Sequence, residues 1–258
     1  MKIIPNCKDK EKLIDLWVKV FGDEREFAEL IFLSENTSCD IFADFDDENL
    51  CSALYLLDCN LSFENRNYTG KYLYAAATAP DYRGRGIMAS LINEAVDFCK
   101  RNGVDFISLV PADDGLYNYY RKFGFEEAMH RKTIYTSADL FSDDAKEIEA
   151  YEYFRERDRR LDNCFSFNDK SQNYAVSVLS CSGMKFYANK NGLLFIRDSD
   201  GAYFNEVLFD EYAASYVIDD NFNVEKTEMD KYGMLYPIHA ALKIDWRYTD
   251  IYMNIALD

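Results

Sequence analysis

Apolar positions change period along the chain, and each change marks an element. Lys2 to Pro5 reads as a short first strand. Between Lys8 and Phe21, the residues Leu13, Ile14, Trp17, Val18 and Phe21 share one helix face, and Gly22 stops the run. Asp23 is placed to cap a second helix through Phe27, Leu30 and Ile31. Cys39 to Phe45 and Leu50 to Phe63 are β-prone, with the polar turn Asp46-Asp47-Glu48-Asn49 between them. Glu64-Asn65-Arg66-Asn67 turns the chain into a return strand from Tyr68 to Ala79. Ile87, Leu91, Ala95 and Phe98 restore helical spacing over 86–102, and Gly103 ends it. A buried strand over 106–110 follows, then a helix through Tyr120 capped by Asp113 or Asp114, then a strand from Phe125. The order is β-α-α-β-β-β-α-β-α-β.

The second half is patterned differently. Ser137 to Glu147 reads as a linker, and Ser142, Asp143 or Asp144 can cap a charged helix from Ala145 to Arg160. A helix near Ser171 to Ser180 is stopped by Gly183. Strands over 184–188, 193–197 and 202–208 are separated by Asn191-Gly192 and Asp200-Gly201, both strong hairpin signals. Asp210 is placed to cap a short helix through Val217, and Ile251 to Leu257 closes the chain as a strand. The pattern divides the chain into residues 1–136 and 148–258.

Composition narrows the function. The chain has 258 residues, with 46 Asp and Glu against 29 Lys and Arg, a net charge of −17. That sign disfavours nucleic acid and anionic membrane as partners; it would draw in a cationic small molecule, but it equally suits an acidic surface that only keeps a protein in solution, so charge alone names no substrate. No apolar run reaches the roughly 18–20 residues that span a bilayer. The N-terminus does not read as a signal peptide. Seven cysteines without C-x-x-C spacing read as reduced thiols in a cytoplasmic protein. Two histidines, His130 and His239, argue against a His-rich zinc site, and no metal is expected. Oligomeric state is not legible.

The chemistry centres on Tyr74 to Phe98. The small residues Ala76, Ala77 and Thr78 lead to Pro80, then to Arg83-Gly84-Arg85-Gly86, which opens the helix at Ile87, Met88 and Ala89. A helix start offers unpaired N–H groups and the positive end of a dipole, and glycines let an anion approach closely. The stretch therefore reads as a phosphate or pyrophosphate site. No Walker string G-x-x-x-x-G-K-[ST] is present. Gly84, Gly86 and Ala89 fit a dinucleotide fingerprint loosely, but the next strand ends in Pro111 rather than in an acid. Arg83 and Gly86 also fit Q/R-x-x-G-x-G/A, the acetyl-CoA loop of the GNAT acetyltransferases, except that Met88 stands where Gly or Ala is usual. About thirty-five residues on, Tyr120-Arg121-Lys122-Phe123-Gly124-Phe125 resembles that family's closing Y-x-x-x-G-F.

The two motifs, in this order, resemble the GNAT superfamily across residues 1–136. The resemblance implies an α/β (α+β) acyltransferase fold in which the strand of Ala76 to Thr78 splays from that of 106–110. It implies acetyl-CoA as co-substrate, held by Ala76, Ala77, Thr78, Arg83, Gly84, Arg85, Gly86, Ile87, Met88, Ala89 and Tyr117, and Tyr120 as general acid. The acceptor it implies is a small-molecule amine, attacking directly. The second half looks like a degenerate GNAT copy, as in tandem Eis-like members. In those relatives the C-terminal carboxylate enters the site, which marks Asp258 as a candidate proton acceptor; too many other acids exist for sequence to choose among them. A non-catalytic acyl-CoA-binding module, or transfer of a longer acyl group, is the alternative.

Overall fold

The computed structural model describes residues 2–3, 9–33, 39–137, 145–190, 192–198, 203–209, 213–218, 225–243 and 251–253. In chain order the first half comprises β1 (Lys2–Ile3), α1 (Lys10–Phe21), α2 (Arg25–Glu29), β2 (Cys39–Asp46), β3 (Asn49–Phe63), β4 (Arg66–Thr78), α3 (Ile87–Arg101), β5 (Phe106–Leu109), α4 (Asp114–Arg121) and β6 (Glu126–Thr136). The second comprises β7 (Lys146–Glu147), α5 (Ala150–Arg160), β8 (Phe165–Phe167), α6 (Asp169–Cys181), β9 (Lys185–Ala188), β10 (Leu194–Arg197), β11 (Tyr203–Leu208), β12 (Ala213–Ile218), β13 (Lys226–Pro237) and β14 (Ile251–Tyr252). This is the mixed α/β architecture expected.

All the strands join one sheet, and its main path runs β1-β2-β3-β4-β5-β13-β6-β12-β11-β10-β9-β7. The two halves of the chain therefore share a sheet. β13, from the second half, lies between β5 and β6 of the first and is antiparallel to both. β12 then pairs with β6 in parallel.

Three expectations fail here. The charged helix expected from Ala145 begins only at Ala150, with Glu149 as its N-cap, because Lys146 and Glu147 pair with β9 as a strand. The segment capped by Asp210 is no helix: Ala213–Ile218 is β12, because Tyr216, Val217 and Ile218 fill a slot beside β6 and sheet pairing overrides local propensity. Asp23 does not cap α2, whose N-cap is Glu24 with no side-chain bond; Asp23 instead accepts the Trp17 indole N–H at 2.7 Å.

Each face of the sheet is covered. On one, α1 buries Leu13, Ile14, Leu16 and Trp17, and α5 and α6 add Tyr153, Tyr174 and Leu179 to the same core. On the other, α3 packs Leu91, Ile92, Ala95 and Cys99 against Phe42, Leu54, Leu56 and Ile107. Gly70 is what lets β5 lie beside β4, because a Cβ there would fall inside the Phe106 ring opposite it.

Candidate active site

β4 pairs with β3 as far as Thr78, opposite Ser52. It pairs with β5 only at Gly70, Lys71 and Tyr72. Beyond Tyr72 the two strands part. At the same place β4 carries a bulge, since Ala75 and Ala76 stand opposite the single residue Leu54. Ala75 takes φ 47°, a left-handed conformation costly for a residue with a Cβ. Of the small residues singled out in the sequence, Ala76 lines the opening, whereas Ala77 and Thr78 are engaged with β3. The Ser52 hydroxyl donates to the Ala77 carbonyl at 2.8 Å.

The opening is a cleft of about 660 Å³. Its walls are β4 from Tyr72 to Ala76, the segment 110–114 after β5, α4, the α1–α2 corner, and Arg131, Lys231 and Tyr232 from β6 and β13. The α1–α2 wall is aromatic. Trp17 sits edge-on to Phe21 at 5.5 Å, to Phe27 at 6.5 Å and to Tyr74 at 5.4 Å between ring centroids. Asp23, half-buried, stands among these rings with its Oδ2 fixed by the indole.

The glycine loop follows the end of β4. Gly84 and Gly86 take φ 76° and 78°, where glycine is favoured, and a Cβ on either would meet nothing within 4 Å. Gly86 is the N-cap of α3 and has no side chain to satisfy the first N–H groups of that helix, those of Ile87, Met88 and Ala89. The loop is braced from within. Arg83 donates from Nε to the Thr78 carbonyl at 3.1 Å, and Arg85 donates from Nη2 to the Asp81 carbonyl at 2.8 Å. Arg85 also lies over the Tyr82 ring, 4.9 Å from its centroid. An uncapped start of a fifteen-residue helix, open space and two exposed guanidiniums together suit a phosphate group.

α4 brings the second motif to the cleft. Asp113 caps it, accepting from the Leu116 N–H at 3.0 Å. Leu116 and Tyr117 then lie one turn before Tyr120, on the face turned to the cleft. Gly124 ends the turn at φ 92°, so close to Tyr236 of β13 that a Cβ would stand 3.0 Å from that ring. Tyr120 is buried between Tyr119 and Phe125, edge-on to both, and its hydroxyl has no hydrogen-bond partner among the described residues. Burial, with a smaller contribution from Tyr119, pushes its phenol up to about 12. Tyr117, expected beside the cofactor, donates to the Lys231 and Tyr232 carbonyls at 3.2 Å and so ties α4 to β13. Asp258 lies outside the described residues.

The comparisons agree with this geometry. The model of an acetyltransferase (GNAT) domain matches residues 5–128. Residues 5–128 are a GNAT acetyltransferase domain. An uncharacterised N-acetyltransferase of Methanocaldococcus jannaschii is 32% identical over 72 residues, 27% of this chain. That match spans about a third of the relative's length (32%). Two solved structures share the fold across nearly the whole chain. A conserved protein of unknown function from Enterococcus faecalis V583 superposes with TM-score 0.68 at 16% identity, over 91% of this chain and 71% of its own. Eis1 from Mycobacterium abscessus superposes with TM-score 0.67 at 10% identity, over 92% of this chain and 73% of its own. The fold shared with these two structures therefore extends beyond residues 5–128 into the second half of the chain.

Sequence reasoning gave no site role to four residues of this cleft. Asp23 reads as a helix cap, Tyr74 marks only the start of the stretch that leads to the glycine loop, and Arg131 belongs to no motif. Tyr232 lies in β13, which carries no turn signal or motif. Only a long-range pairing reveals it.

Proposed function

We propose that the chain is an acetyl-CoA-dependent N-acetyltransferase, and that its acceptor is a small cationic amine. The parting of β4 from β5 beside the uncapped start of α3 is the observation that carries this reading. Bound acetyl-CoA supplies a thioester carbonyl open to attack by an amine. The N–H groups of Ile87, Met88 and Ala89, with Arg83 and Arg85, would hold the pyrophosphate. The backbone of Ala75 and Ala76, free of β5, offers hydrogen bonds to an amide-bearing arm and to the carbonyl oxygen.

Tyr120 faces the leaving sulfur in this scheme. With its phenol up at about 12, against about 8.5 for a thiol, complete proton transfer in the closed cleft is uphill by on the order of 5 kcal/mol. Tyr120 therefore stabilises the departing thiolate as a hydrogen-bond donor, and the proton moves over as the sulfur becomes solvated. The same burial keeps the donor form present at every working pH. On the opposite side, Asp23 and the rings of Trp17, Phe21 and Tyr74 suit an ammonium ion through a carboxylate and aromatic faces. Asp23 also accepts the proton that the amine loses. The C-terminal half, from residue 148, is an accessory half that shapes this acceptor side through β13. The described cysteines are all free thiols, in keeping with a reducing, cytoplasmic setting.

Calorimetric titration with acetyl-CoA, beside a Gly86→Glu variant, tests the reading first. Micromolar binding lost in the variant supports it; no binding to either protein sinks it. Release of free thiol with a panel of amines then separates catalysis from mere binding.

A further inference from the structure

Acids outnumber bases in this chain, so a cation finds a carboxylate easily. Arg25 reaches Glu11, Asp15 and Glu29. Lys71 reaches Asp40 and Asp58. Even Lys231, in the wall of the cleft, is held by Glu127 at 2.5 Å. Arg131, like Arg83 and Arg85 of the glycine loop, departs from this pattern. It lines the cleft, yet among the described residues it has no carboxylate partner. Asp230 stands opposite it in the β6–β13 register, but the two form no ion pair, and Asp230 lines an adjoining hollow with Arg121 and Glu127.

The guanidinium is nevertheless held in place. It lies over the Tyr232 ring, 4.5 Å from the centroid, and Tyr232 is itself buried where the β13 register slips. Its Nε is shut off from solvent and has no acceptor among the described residues. A buried donor without an acceptor is unfavourable, and the loss is recovered when a ligand brings one. A guanidinium stacked on a ring presents its free edge as a fork that matches a carboxylate.

The phosphates of acetyl-CoA are not that partner. They belong to the loop after β4, whereas Arg131 is on β6, with β5 and β13 between. At the usual spacing of strands that is about 14 Å across the sheet.

We infer that the acceptor carries a carboxylate as well as its amine, and that Arg131 binds this carboxylate; the acceptor is an amino acid or a close analogue. The inference rests on the acetyltransferase reading and narrows its acceptor. The amine end lies toward Asp23 and Tyr120 and the acid end toward Arg131. The enzyme thereby distinguishes an amino acid from a plain polyamine.

The test is a set of matched acceptors, each amino acid beside its amide and its decarboxylated amine, assayed by thiol release from acetyl-CoA. For at least one amino acid, kcat/KM should exceed that of its amide and amine by about 100-fold. Arg131→Gln should erase that preference and leave acetyl-CoA affinity unchanged. Arg131→Lys, which keeps the charge and loses the fork, should retain part of it and serves if the glutamine variant does not fold. Amines turned over as well as their parent amino acids, or a preference indifferent to Arg131, would overturn the assignment. If acetyl-CoA fails to bind at all, the acetyltransferase reading falls separately. Calorimetry of the amino acids alone then decides: binding lost in Arg131→Gln upholds the carboxylate site, and absence of binding refutes it.

Discussion

Tyr72 pairs with Ser108, and it is the last residue of β4 to pair with β5. Three residues later Ala75 sits at φ 47° in the bulge that turns the strand away. The cleft is therefore held open by backbone geometry, not by a bulky side chain wedged between strands. Ala75→Gly should relax that strain and leave stability equal or better, by up to about 1 kcal/mol. Ala75→Val, β-branched and forced into the same conformation, should cost about 1–3 kcal/mol. Urea denaturation of the two variants checks the opposite signs.

Gly86→Ala isolates conformation from crowding, because nothing stands within 4 Å of the added methyl. The fold should lose only the cost of holding alanine at positive φ, about 1–2 kcal/mol. Acetyl-CoA affinity should fall by more than that loss accounts for, since the methyl enters the space above the helix start. Equal stability and affinity losses would show that the loop is only a turn.

Tyr120 gives a pH signature of known sign. Its folded phenol stands at about 12 against 10 for a free one, because burial favours the neutral form. Its contribution to stability is therefore complete below pH 10 and is lost as pH rises toward 12, a fall of about 2–3 kcal/mol. Tyr120→Phe should flatten that part of the stability curve. In turnover, Tyr120→Phe should lower kcat by about 10- to 1000-fold, and the wild-type rate should show no alkaline decline from this group below pH 10. A decline near pH 9 that disappears in the variant would contradict the burial argument.

Arg157 and Glu206 form a fully buried pair at 2.8 Å between α5 and β11, and Tyr153 donates to the same carboxylate oxygen at 2.9 Å. Glu206→Gln leaves a buried guanidinium without its counter-charge and should cost about 3–5 kcal/mol. Replacing both residues by leucine should cost less than the two single replacements added together. A melting series of the three variants measures this.

Locally encoded parts of the molecule are readable from sequence. The glycine loop, Asp113 with its helix, and the Gly124 stop each depend on residues within a few positions of one another, so spacing alone identifies them. The parts that escape are made by distant pairing. Lys226–Pro237 begins polar and turns apolar from Tyr232 to Tyr236, and nothing in it names β5 and β6 as neighbours. β12 reads as helix because its alanines follow a capping acid, and only a vacancy beside β6 makes it a strand. Arg131 carries no signal in the sequence, since its place in the cleft depends on Tyr232 beneath it.

The position of β13 also has a consequence for synthesis. β5 and β6 leave the ribosome with unpaired edges facing one another, and the strand that joins them is made roughly a hundred residues later. At ordinary elongation rates that is a wait on the order of ten seconds. Throughout it the nascent chain has both a glycine loop and Tyr120 but no closed cleft around them. Two open strand edges are also what neighbouring polypeptides pair with most readily, so this protein's yield in a cell should depend on how long those edges are shielded.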